Sequence, residues 1–133
     1  MTAGTTLGQC GPKTVAAHIA PAINAAAERA GRPKPRIMAL VSVVVTDDPG
    51  AAREAALAGA GGYAALPSYR RVLDLEGVES GADLLLAGSL DRIAEGLAEY
   101  VAAGVTDLRI GIGGTDPDTV GATRAGLETL ASA

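Results

Sequence analysis

The sharpest pattern in the chain is RIMALVSVVVT, residues 36–46, almost unbroken in apolar and β-branched positions apart from Ser42. A strand with one wet face would alternate. A continuous run predicts a strand covered on both faces, as in a parallel sheet. Weaker strand patterns fall at Thr5–Gln9 and Asp107–Ile112. Between them the period changes. Val15, Ile19, Ile23 and Ala26 form one helical stripe after Gly11-Pro12, with Pro at the first helical position and Gly31, Pro33 and Pro35 as the stop. Asp48-Pro49 opens a second helix that runs toward Gly61-Gly62. Ser68–Glu76 is a third, stopped by Gly77, and Asp83–Ala87 is a short apolar piece of undecided type. Ser89 caps a strong helix bearing Leu90, Ile93, Leu97, Tyr100 and Val101, closed by Gly104. Asp116-Pro117 starts the last one, with Val120, Leu127 and Leu130.

Strands alternating with helices predict an α/β fold built from right-handed βα units around a parallel sheet. Three strands are few for such a domain. They leave two naked edges of unpaired N–H and C=O groups. The chain therefore reads as the closing portion of something larger.

Composition narrows the partners. The chain has 133 residues, enough for one modest domain, and is 48% hydrophobic with a net charge of −4. Lys13 and Lys34 are its two lysines, which argues against nucleic acid or an anionic membrane as partner. The basic run Arg29, Arg32, Lys34 and Arg36 sits where a helix ends and complements its dipole. One cysteine, Cys10, and one histidine, His18, exclude an internal disulfide and a Cys/His metal cluster. With no Phe and no Trp, small aliphatic side chains must build the core, so marginal stability is expected for the chain alone. No signal peptide is evident, and the longest apolar run is too short to span a bilayer, so a cytoplasmic location is expected.

Four stretches can carry chemistry. GQCGPKT, residues 8–14, looks like a phosphate cradle, but Pro12 separates Gly11 from Lys13 and removes an N–H, so it is no P-loop. It can still bind an anion at a helix start, or be only a helix start. Cys10 lies two helical turns from His18, which leaves it no base. IGIGGTDPD, residues 110–118, lacks a dinucleotide fingerprint, and Asp116 and Asp118 would cap the helix and repel phosphate. LPSYRR, residues 66–71, places Ser68, Tyr69, Arg70 and Arg71 in the long excursion after the second strand, where they can meet an anionic ligand or form a plain surface helix start.

Taken in order, GPKTVAAHIAPAINAAAERAGRP, VVVTDDPGAAR, YAALPSYRRVLDLEGV and VAAGVTDLRIGI resemble the C-terminal part of the luciferase-like monooxygenase superfamily, nearest to its coenzyme F420-dependent oxidoreductase branch. The likeness runs over nearly the whole chain, residues 1–133. It implies a partial (β/α)8 barrel containing strands six to eight, with strands one to five absent. It implies hydride transfer between a deazaflavin, coenzyme F420, and a small organic substrate, with FMN as the alternative cofactor. It places Cys10, Gly11 and Lys13 near the cofactor, and Tyr69 and Arg70 beside the substrate entrance. It also implies a companion polypeptide, or a homodimer, to cover the open edges. The alternative is a non-catalytic half-barrel remnant.

Overall fold

The computed structural model describes residues 3–60 and 62–132. Its sheet is built on β2, Arg36–Val45, which pairs in parallel with every other strand. β1, Gly4–Leu7, lies against residues 36–39 of β2. A three-residue strand, β3, Leu86–Gly88, lies against Val43–Val45. β4, Asp107–Ile112, lies against Met38–Val43. Met38 and Ala39 pair with both β1 and β4, and Val43 with both β3 and β4. β1 and β3 therefore share one side of β2, and β4 holds the other. The sheet is three lanes wide. Its outer edges have no strand beside them among the described residues.

The connections are helical. A short α1, Pro12–Thr14, runs through a π-helical turn, Val15–Ile19, into α2, Ala20–Arg29. The wide turn ends two residues before Pro21, whose missing N–H and bulky ring cannot continue an α ladder. α3, Pro49–Gly59, follows β2. α4, Pro67–Glu76, and a 3-10 turn, Gly81–Leu84, complete the excursion to β3. α5, Leu90–Ala103, leads to β4, and α6, Pro117–Ala131, follows it. Local signals set these bounds. Asp48, Ser89 and Asp116 accept hydrogen bonds from the N–H groups of Ala51, Arg92 and Thr119. Gly77 and Gly104 end α4 and α5 with φ of 81° and 113°.

The core corrects one expectation. Ile37, Ala39, Val41 and Val43 are buried under the helices together with Val15, Ile93 and Tyr100. The other face of β2 carries Met38, Leu40 and Ser42, and Leu40 is 42% exposed. Arg109, in register with Leu40, is exposed as well. β2 is therefore covered on one face, and the second face opens where a closed barrel would have its interior. Val44 is the exception, buried near Leu85 and Gly113 where the excursion returns. No helix of the described residues is long and apolar enough to cross a membrane.

Candidate functional site at the carboxyl ends of the strands

All four strands run the same way, so the loops after Leu7, Val45, Gly88 and Ile112 gather at one end, the end that carries ligands in parallel α/β folds. The loop after β1 is the most constrained. Gln9 has φ of 55°, an uncommon left-handed conformation for a residue other than glycine. Cys10 and Gly11 are buried, and the Lys13 side chain is exposed. Beneath them lies a residue that sequence reasoning missed. Glu76, at the end of α4, is 6% exposed. Its Oε2 accepts from the Thr14 N–H at 2.8 Å and the Thr14 hydroxyl at 2.7 Å, and its Oε1 accepts from the Lys13 N–H at 3.2 Å. A carboxylate 62 residues along the chain thus caps the helix start that GQCGPKT offers. No local spacing announces that contact.

The carboxylate shapes its neighbours. Burial pushes the Cys10 thiol up to about 11, and the Glu76 charge adds to the rise. Burial raises the Tyr100 phenol to about 12, with Glu76, Cys10 and Glu99 contributing. Cys10 is therefore a protonated, enclosed thiol at neutral pH, not an activated nucleophile.

Tyr69 and Arg70 lie on the same helix as Glu76, on its first turn. The Arg70 guanidinium is engaged by its own excursion. It donates to Asp74 at 2.8 Å and to the carbonyls of Val78 and Glu79 at 2.8 and 2.7 Å. A ligand at Arg70 would compete with these three bonds. The structure brings Cys10, Gly11 and Lys13 together against α4, while Arg70 turns toward the end of that helix.

Four helix starts carry a side-chain cap: Glu76 on α1, Asp48 on α3, Ser89 on α5 and Asp116 on α6. The carboxylate caps at α1, α3 and α6 disfavour an anion there, whereas the neutral hydroxyl of Ser89 satisfies one N–H of α5. No group of three metal-ligating side chains occurs among the described residues. A cavity of about 620 Å³ lies at the opposite end of the sheet, between the alanines of α2 and the segment Arg32–Arg36, away from the gathered loops.

No protein-family model matches the sequence, and no curated protein matches it. Among solved structures the chain is similar to an F420-dependent secondary alcohol dehydrogenase in complex with an F420-acetone adduct. The TM-score is 0.68 at 18% identity, over 89% of this chain and 39% of that one. At that identity the likeness shows the fold, an α/β arrangement of parallel strands that matches part of a (β/α)8 barrel. The chain spans 39% of that protein's length.

Proposed function

We propose that this chain is the closing arc of a coenzyme F420-dependent, luciferase-like oxidoreductase, which moves a hydride between a deazaflavin and a small organic substrate. One observation carries the reading: a three-lane parallel arc, open at both edges and on its inner face among the described residues, that overlays an F420-dependent dehydrogenase over 89% of its own length. The ordered motifs from GPKT to AAGVTDL support it independently.

In this reading the chain contributes wall and loop rather than cradle. Lys13 is the exposed cation of the β1 loop and, with Tyr69, its candidate ligand contact. Cys10 and Gly11 hold the loop's shape against Glu76, and Arg70 positions the excursion. The cofactor's anionic groups would bind to the remaining strands, supplied by another stretch of polypeptide. Titration of the protein reassembled with the polypeptide that supplies the remaining strands, using F420 and FMN and followed by coenzyme fluorescence, tests the assignment. F420 binding in preference to FMN is expected. Tight FMN binding without F420 binding would reject it.

A further inference from the structure

The lane beside β2 is interrupted. β1 pairs as far as Ala39 and β3 begins at Val43, so Leu40, Val41 and Ser42 have no strand opposite them on that side. The direction of each amide follows from the bonds around it. Arg36 and Thr46 donate to Ala3 and Gly88 on the side of β1 and β3. The carbonyls of Ile37 and Val43 face β4, accepting from Thr106 and Gly113. Even-numbered residues of β2 thus turn their N–H and C=O toward β1 and β3. With Leu7 and Leu86 flanking the interruption, the carbonyl of Leu40 and the N–H of Ser42 fall inside it. No loop or side chain among the described residues bonds to either.

A cavity of about 60 Å³ occupies the interruption. Gln9, Gly81 and Tyr100 line it together with Leu40, Val41 and Ser42. Tyr100 is only 3% exposed as a residue, and its hydroxyl exchanges no hydrogen bond with another described residue, so it is available to water at the gap. Gln9 is held in place. A methyl on Gly81 would sit 1.9 Å from the Gln9 Oε1, and the left-handed backbone of Gln9 aims its amide here. The lining offers donors and acceptors and no charged side chain.

We propose that this gap is a binding site for ordered water that completes the barrel wall, bridging the Leu40 carbonyl, the Ser42 N–H, the Tyr100 hydroxyl and the Gln9 amide. The volume admits this occupant, since roughly 10–15 Å³ of such space already holds a water, which needs two to four polar partners. An ion would find no countercharge.

Amide exchange and water–amide NOE measurements on the folded protein test it. The Ser42 N–H should exchange at least about tenfold faster than those of Val41 and Val43, which face β4. It should also show a cross-peak to long-lived water. A Ser42 N–H as protected as its neighbours overturns the proposal, because protein then closes the gap. Fast exchange with no long-lived water also overturns it, because the gap is then open to bulk solvent. Tyr100→Phe removes one oxygen and leaves the packing, so it should weaken the water cross-peak at Ser42. An unchanged cross-peak removes Tyr100 from the site.

Discussion

A methyl group placed on Gly11 would lie 2.2 Å from the carboxyl carbon of Glu76. The backbone of Gly11, at φ −88° and ψ 171°, is open to any residue. The glycine is there for space, so that a carboxylate from α4 can reach the start of α1. Gly11→Ala should therefore destabilise the fold by about 2 kcal/mol, the usual cost of overpacking a filled site. Glu76→Ala should cost about 1–3 kcal/mol by stranding the N–H groups it satisfies. The two changes should not add. With Glu76 truncated, the three atoms nearest a Gly11 Cβ are gone, and Gly11→Ala should cost only a few tenths of a kcal/mol. Urea denaturation of both single variants and the double variant reads the coupling. A full Gly11→Ala penalty in the Glu76→Ala background would falsify the spatial role.

The same cluster predicts alkaline sensitivity. Cys10 rises from an ordinary 9.0 to about 11, and Tyr100 from 10.0 to about 12. Both groups are neutral when protonated, and folding strengthens their hold on the proton. Their contribution is complete below pH 9, where folded and unfolded chains are equally protonated. It is lost between pH 9 and 11 for Cys10 and between pH 10 and 12 for Tyr100, as the unfolded chain releases protons first. Denaturation midpoints measured from pH 8 to 11 should fall, and Tyr100→Phe should flatten the upper part of that fall. A thiol-specific reagent at pH 8 should modify Cys10 at the rate of unfolding. Rapid modification of the folded chain would contradict the enclosed thiol.

Acid sensitivity has a different origin. Arg36 Nε donates to Asp107 at 3.0 Å, tying the start of β2 to the start of β4. The Arg36 guanidinium, with help from the Thr106 hydroxyl, lowers the Asp107 carboxyl from 3.8 to about 2. The stabilisation is present above pH 4 and fades as pH falls toward 2. Arg36→Gln should reduce the slope of stability against pH in that window and leave the alkaline behaviour alone. An unchanged acid slope would show that other carboxylates carry it.

These contacts differ in how far they can be read from the chain. Asp48, Ser89 and Asp116 sit next to the N–H groups they accept from, and Gly77 and Gly104 supply the left-handed residue where a helix stops, so the local sequence suffices. Glu76 does not announce itself, because its partners lie 62 and 63 residues away and depend on how α4 docks on α1. β3 is only three residues long and escapes a periodicity test. The apolar run of β2 was legible as a strand, but not the occupant of its second face. Leu40 is apolar, and the described residues leave it 42% exposed. Arg70 illustrates the limit for the site. Residue type suggested anion binding there, and only the fold revealed the three bonds its guanidinium already makes.

The open face gives the most direct test of the arc. Leu40 and Val41 are adjacent in β2, and one points to the open face while the other is buried under the helices. In the chain by itself, Leu40→Asn should change stability by less than about 0.5 kcal/mol, as for an ordinary surface position. Val41→Ala should cost about 1–2 kcal/mol through lost burial and a small cavity. Under the proposed reading, pairing with a polypeptide that supplies the remaining strands should reverse the order of importance. Leu40 then enters a packed interior, and Leu40→Asn should abolish assembly, while Val41→Ala should weaken it only through the fold. Size-exclusion chromatography of each variant with and without a chain supplying the remaining strands separates these effects. If Leu40→Asn alone is as damaging as Val41→Ala, something within this chain already covers that face, and the arc closes on itself.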